Sequence, residues 1–417
     1  MQEPNHLIVQ KYGGTSVANA ERINHVANRI AKLYHAGKKV AVVLSAQGNL
    51  TDRLYQKAYE INPQADPREL AMLLSTGEQQ SVALMAMALH GLGLPAVSLN
   101  AAQIGLASTN QHVNARIKHI QTARINQELD KGNIVLIAGF QGVNSIGDIT
   151  TLGRGASDTT AVAMAAVLNA ELCEICTDVD GVYTADPRIV PTAKKLKFIT
   201  YDEMLEMSCQ VLVNRAAEMA KRYNVRLIIR SSMTEEEGTE VGPGNIAKEG
   251  NKMEDLYVSG LAIDRDVAQI SVLGMADKPG AAYRIFSLLA AAEISVDIIL
   301  QQPTEGQTDI SFTVSKQDMD AAIRILEASK DEICFTHITH NHKLAKLTIV
   351  GAGMLTSHGV AATMFEALYE NDINIRMITT SEIKITVLVD DVHAEKAKMA
   401  VHDKFVNLGM TREGGAE

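Results

Sequence analysis

Between residues 134 and 188 the chain runs apolar strand, loop, helix, apolar strand, loop, an order that confines it to an α/β sheet. Ile134–Ala138 is an apolar run of strand length that ends in glycine and polar residues, where a buried strand gives way to a loop. The core of that loop, Leu152-Gly153-Arg154-Gly155-Ala156-Ser157-Asp158, leads into an alanine-rich stretch, 159–168, of helical pattern, with Ser157 or Asp158 available as the N-cap. Free backbone N–H groups and the positive end of the macrodipole make such a helix start an anion site. Arg154 adds a planar fork that fits a carboxylate or phosphate. A second strand, Leu172–Thr177, delivers Thr177 and Asp178 and then Gly181-Val182-Tyr183-Thr184-Ala185-Asp186-Pro187-Arg188. Ligands of open α/β sheets gather at the carboxyl ends of strands, so the two loops suggest one shared site, although Asp-Gly and Asp-Pro also serve as plain turn chemistry.

Further units of the same kind precede this one. Residues 7–10 form a short strand followed by the loop Lys11-Tyr12-Gly13-Gly14-Thr15-Ser16 and a helix over 20–34. Adjacent glycines let backbone N–H groups approach a phosphate, and Lys11 brings a mobile charge; the spacing is not that of a Walker loop. A strand over 40–44 ends in Ser45-Ala46-Gln47-Gly48 and Leu50-Thr51-Asp52, where Ser45 and Thr51 either face a ligand or cap helices. Ser75-Thr76-Gly77-Glu78 precedes an apolar helix over 80–89, and Glu78 reads first as an acid favoured by the helix dipole. Residues 96–100 give a strand and 110–130 a polar, outer helical region. Residues 233–254, rich in Glu, Gly, Lys and Asn, read as a linker.

Beyond the linker the chain repeats itself. Residues 268–274 match 345–351, residues 281–286 match 360–365, and residues 294–299 match 373–378. Each copy reads strand, helix, strand, strand, helix.

Taken together, Lys11 to Ser16, the TTLGRGASD run ending at Asp158 and the TDVDGVYTADPR run ending at Arg188 resemble the aspartate kinases of the amino-acid-kinase superfamily, over nearly the whole chain. The C-terminal repeat, with Asp277-Lys278-Pro279-Gly280, resembles paired ACT domains, ferredoxin-like modules that bind amino acids. The resemblance implies an α/β fold: an αβα sandwich with a central, mainly parallel sheet over 1–232, a linker over 233–260, and ACT domains over 261–335 and 344–417. It implies transfer of the ATP γ-phosphate, with Mg²⁺, to the β-carboxylate of L-aspartate. Lys11 would act on the transferring phosphoryl group, and Asp158 would orient Lys11. Lys11, Tyr12, Gly13, Gly14, Ser45, Thr177, Asp178, Tyr183, Asp186 and Arg188 would bind ATP; Thr51, Glu78, Arg154, Gly155, Ala156 and Ser157 would bind aspartate, Glu78 through its ammonium and Arg154 through its carboxylate. Lysine, threonine or both would be effectors at Asp277, Gly280, Asp297 and Gln301 in the first copy and at Val360, Asn374, Ile375, Thr380, Ser381 and Glu382 in the second. A homodimer or higher oligomer would form through the ACT modules.

The chain departs from that family in three places. Ala156 stands where the family has glycine; if the position needs φ > 0, a Cβ costs of the order of 1 kcal/mol. About three residues are missing near Ser208-Cys209-Gln210, and Gln210 falls where a nucleotide-facing lysine often stands. Thr356-Ser357-His358-Gly359 replaces the family's SHPG. Two alternatives follow: another carboxylate kinase of the superfamily, or a catalytically weak, effector-sensing subunit.

The 417 residues suffice for two or three domains, and a formal charge of -10 argues against a nucleic-acid or anionic-membrane partner. Cys173 and Cys176 are spaced as CxxC, but no second pair completes a zinc site, so reduced packed thiols are expected. The start lacks a basic stretch followed by a long apolar segment, and a cytoplasmic protein is expected.

Overall fold

A computed structural model describes residues 6–207, 211–243, 258–304, 306–351 and 359–408. The central sheet has eight strands in the order Phe198–Thr200, Thr239–Gly242, Leu227–Ser231, Leu172–Thr177, Leu7–Tyr12, Lys39–Leu44, Ile134–Ala138 and Ala96–Leu99. Every pairing is parallel except that of Leu227–Ser231 with Thr239–Gly242.

The period of two in Lys39–Leu44 shows why the sheet is buried on both faces. Ala41 and Val43 pack with the helices Ala156–Val167 and Asn214–Tyr223, while Val40, Val42 and Leu44 pack with Ala20–His35 and Thr76–Gly91. The helix Ala20–His35 has local causes. Asn19 caps it by accepting from the Arg22 N–H, and Ile23, Val26, Ala27, Ile30 and Ala31 form one apolar face. It ends where Gly37 turns left-handed at φ 77°.

Two stretches differ from the sequence expectation. Only Ala123–Asp130 of the polar region 110–130 is helical, and Ile117–Ile120 is an edge strand in a small sheet with Leu106–Ser108, Gln141–Val143 and Ile149–Thr151. The stretch read as linker contributes Thr239–Gly242 to the central sheet. A four-residue strand is too short for periodicity to reveal, and it is held by pairing to Leu227–Ile229.

The C-terminal repeat builds two four-stranded antiparallel sheets with helices packed against them. One has the order Ile299–Thr304, Gln307–Val314, Ala268–Ala276, His337–Asn341. The other runs Gly260–Asp264, Leu344–Val350, Lys384–Asp390, Met377–Thr380. Gly260–Asp264, whose residues from Leu261 on the expected boundary gave to the first module, therefore lies in the sheet of the second. Alternation marks a strand but not its partner, so sequence order alone misplaced it. Among the described residues no helix is long and apolar enough to cross a membrane.

Candidate functional site

The first strand runs to Tyr12, so Lys11 stands on a rigid strand end rather than in a loop. Its Nζ lies 2.7 Å from Asp158 Oδ1, and the two side chains are 12% and 8% exposed. An ion pair this sheltered is weakly screened, so its geometry is well defined. Tyr12 points the other way. Its phenol is fully buried and donates to Gln10 Oε1 at 3.2 Å, and burial drives its pKa well up, so a ligand would meet only its backbone.

The Gly13–Gly14 pair packs loop against loop. The Gly13 N–H points to the Cys176 carbonyl at 3.4 Å, which draws one expected phosphate donor toward the neighbouring strand. A Cβ on Gly14 would lie 2.5 Å from the Ala46 carbonyl oxygen, so a side chain there would force apart the two strand-end loops. Ser45 donates its N–H to the Tyr12 carbonyl at 3.1 Å. The next residue, Ala46, donates to Glu78 Oε1 at 3.1 Å.

Glu78 stands in the first turn of Thr76–Gly91, not before the helix, and is 3% exposed. Burial pushes its carboxyl up to about 7, against the lowering effect of the Ala46 and Glu78 backbone N–H groups. Its Oε2 is buried without a hydrogen-bond partner. An acceptor of this kind is costly unless a ligand satisfies it.

The loop before the central helix is shaped by left-handed glycines. Gly153 has φ 95° and Gly155 φ 72°, and a Cβ on Gly155 would also sit 2.4 Å from Val213 Cγ1. Ala156 is the first residue of the helix Ala156–Val167 and is not left-handed, so its Cβ carries no strain of the kind expected. Gly155, rather than Ser157 or Asp158, occupies the N-cap position. Ser157 and Asp158 are buried in the first turn. Arg154 between the two glycines is 94% exposed and reaches Asp52 at 3.7 Å, beside Thr51 at the start of Leu50–Ile61.

At the end of Leu172–Thr177, Thr177 donates to Asp178 at 3.1 Å, and Tyr183 donates to Asp180 at 3.0 Å. Arg188 forks onto Asp186, with Nε to Oδ1 at 3.0 Å and Nη2 to Oδ2 at 2.7 Å; this pairing is the main reason the Asp186 carboxyl falls to about 2. Lys11, Glu78, Ser45, Asp158 and Thr177 thus collect at the carboxyl edge of adjacent strands. Arg188 holds its own neighbour.

The expected effector residues divide between the two C-terminal modules. Asp277, Gly280 and Gln301 are exposed on the first, where Gly280 (φ 96°) caps Ala281–Ala291. Asp297 is bound to Lys346 of the second module at 2.5 Å. Val360 is buried at the start of Val360–Glu370, beside Gly359 (φ 108°). Asn374, Thr380 and Glu382 are exposed, while Ile375 and Ser381 are half-buried. Cys209, Gln210 and the run from Thr356 to His358 lie outside the described residues.

Several supports were missed by sequence reasoning. Arg215 donates to the Leu152 carbonyl at 2.8 Å and so ties down the Arg154 loop. Gln10 donates to Glu174 at 2.6 Å and Arg230 to the same carboxylate at 3.1 Å, joining three adjacent strands. The signal for Glu174 was present: a charge in a strand buried on both faces needs a partner.

The amino acid kinase family matches residues 6–231, and the ACT domain matches 270–329 and 347–405. The chain is 47% identical to the aspartokinase of Mycolicibacterium smegmatis, covering 96% of each chain, and 46% identical to that of Geobacillus stearothermophilus, covering 98% of this chain and 99% of the relative. The crystal structure of E. coli aspartokinase III with aspartate and ADP has the same fold, with a TM-score of 0.81 at 24% identity, over 96% of this chain and 100% of the other. An amino acid kinase domain followed by ACT domains, matched end to end by these relatives, means that the chain belongs to the aspartokinases.

Proposed function

We propose that this aspartokinase transfers the ATP γ-phosphoryl group to the β-carboxylate of L-aspartate, giving 4-phospho-L-aspartate and opening lysine, threonine and methionine synthesis. The observations that carry the reading are the sheltered Lys11–Asp158 pair at one strand end and, tied to the loop after the adjacent strand through Ala46, a buried Glu78 carboxylate with a free oxygen. A carboxylate nucleophile is ionised at neutral pH, so the reaction needs no general base. It needs two anions brought together. Lys11 supplies positive charge at the transferring group and Asp158 fixes its direction. Glu78 Oε2 takes the substrate ammonium, which satisfies its empty acceptor. Arg154, exposed between two left-handed glycines, takes the substrate carboxylate, with Thr51, Gly155, Ala156 and Ser157 around it.

Tyr12, Gly13, Gly14, Ser45, Thr177, Asp178, Tyr183, Asp186 and Arg188 form the nucleotide side. Mg²⁺ fits as an ion carried by the nucleotide phosphates, with the exposed Asp178 carboxylate as a hard oxygen donor; it would neutralise charge on the phosphates. Lysine, threonine or both act through the ACT modules, which pair in a homo-oligomer.

The effector-sensing alternative rests on Ala156 and on the missing residues near Cys209-Gln210, and the unstrained helical Ala156 removes the first of these. Incubation with ATP, L-aspartate and hydroxylamine should yield the aspartyl hydroxamate. A blank with aspartate but product with another acid would point to a different carboxylate kinase. A blank with every acid would leave a sensing subunit.

A further inference from the structure

The last helix of the second ACT module, Ala394–Asn407, buries two kinds of residue. Ala394, Ala397, Val401 and Phe405 face its own core, as an amphipathic helix should. Lys398 and His402, one turn apart, are also buried, at 5% and 0% exposure. Burying such groups is unfavourable unless polar partners meet them, and those of His402 lie in the kinase domain.

His402 Nε2 is 2.9 Å from Thr184 Oγ1, and its Nδ1 is 3.3 Å from Thr192 Oγ1. The donors can be assigned in sequence. The Lys194 N–H donates to Thr184 Oγ1 at 3.0 Å, which leaves the Thr184 hydroxyl proton for His402 Nε2. Nε2 is then an acceptor, so Nδ1 carries the proton and donates to Thr192 Oγ1, whose own proton goes to Asp403 at 2.9 Å. A neutral imidazole of one tautomer satisfies every member of this chain.

Thr184 is held on both sides. Within the kinase domain its N–H donates to the Lys194 carbonyl at 2.9 Å. From the second module, the Leu261 N–H donates to the Thr184 carbonyl at 2.7 Å. Residue 183, its neighbour, bridges to Lys195, so residues 182–196 form a hairpin with Asp186 and Arg188 at its turn. The segment expected to face the nucleotide is thus gripped at its base by the regulatory module.

We propose that His402 is a positioning residue for the kinase reaction: through Thr184 and Thr192 it sets the 182–196 hairpin and transmits the docking of the second ACT module to the nucleotide end of the site. This rests on the reading that Tyr183 and Arg188 face ATP. A helix that shifts by a fraction of a hydrogen-bond length must carry the hairpin with it or lose the bonds.

The test uses the full-length enzyme, with initial rates as ATP and aspartate are varied in turn. His402→Ala should raise the KM for ATP about three- to tenfold, the span of one hydrogen bond's net contribution. The KM for aspartate should stay within about twofold. His402→Gln, which can both accept from Thr184 and donate to Thr192, should recover most of the loss. The double variant His402→Ala, Thr184→Val should be no worse than the more severe single variant. A merely structural histidine would lower the melting temperature and the active fraction without selecting between substrates, and that result overturns the proposal. If His402→Ala does not fold, the ATP KM of His402→Gln and Thr192→Val decides: a selective rise in Thr192→Val supports the relay, and unchanged values in both reject it. Arg188→Ala, run beside these, separates the two readings. An unchanged ATP KM there rejects the nucleotide assignment itself, whereas a rise there without one in His402→Ala rejects only the relay.

Discussion

At the scale of single residues, Lys11 is the clearest case of a role altered by its surroundings. A lysine in a loop could be removed with little harm to the fold, but at this strand end its loss strands Asp158 as a buried, unpaired charge. Lys11→Met should therefore lower turnover by roughly 10²–10³ and also destabilise the protein, by about 3–5 kcal/mol for a broken buried pair. Thermal melts and hydroxamate assays on one preparation check both effects; a melt like wild type would contradict the sheltered pair. Glu78 gives a pH prediction. Its folded pKa, about 7, is raised above the unfolded value, so its contribution to stability is complete at low pH and is lost as pH rises through about 7. Aspartate binding works in the opposite sense, because an ammonium needs the ionised carboxylate. The KM for aspartate should rise several-fold as pH is lowered from about 8 to about 6 while that for ATP stays flat, and Glu78→Gln should abolish this dependence. Parallel changes in both constants would count against Glu78 as the ammonium site. The residue types of the site could be read from the chain, since Lys11 precedes a glycine pair and Glu78, Asp158 and Arg154 stand in loop or helix-start contexts with chemical meaning. The partners beneath them could not: Gln10, Glu174 and Arg230 are 56 residues or more apart from their contacts in sequence, and only strand pairing joins them.

At the scale of elements, the start of the central helix decides what Ala156 means. The two left-handed turns fall on Gly153 and Gly155, so Ala156 is an ordinary helical residue. Restoring the family's glycine should not raise activity. Ala156→Gly is expected to leave turnover within about twofold and to cost roughly 0.5–1 kcal/mol, the usual penalty of glycine against alanine in a helix. Gly155→Ala, by contrast, should cost more than about 1 kcal/mol from φ alone, with the Val213 contact added, and should weaken aspartate binding by displacing Arg154. A gain in activity from Ala156→Gly would mean that the loop adopts another conformation during turnover. Buried strands such as Lys39–Leu44 and Ile134–Ala138 were legible because each carries a run of four or more apolar residues, whereas the helices Leu50–Ile61, Pro67–Leu74 and Asn214–Tyr223 were not read. Thr239–Gly242 and Ile117–Ile120 were not legible, because strands so short have no period to detect and exist through their neighbours.

At the scale of the whole molecule, regulation requires that the C-terminal modules have something to push against. They do: Lys384 of the second module pairs with Glu206 at 2.6 Å, Leu261 binds Thr184, and His402 is buried against the kinase hairpin. Lysine or threonine, alone or together, should bind the full chain and inhibit it by favouring one arrangement of the ACT modules, and Asp277→Ala or Ser381→Ala should release the inhibition with uninhibited turnover kept within about twofold. Calorimetry with each amino acid at millimolar concentration tests this, and reciprocity requires substrates to shift effector affinity in the opposing sense. Heat from neither would end the sensing role. By itself the sequence determined the alternating α/β layout, the repeat and the chemistry-bearing loops, because periodicity, glycine spacing and motif order are local properties of a chain. Only the tertiary structure decided that Gly260–Asp264 joins the second module, that Ala156 is unstrained, and that His402 rests on the 182–196 hairpin. The first and last of these depend on which backbone groups and buried side chains find partners far along the chain, and no local pattern encodes that choice.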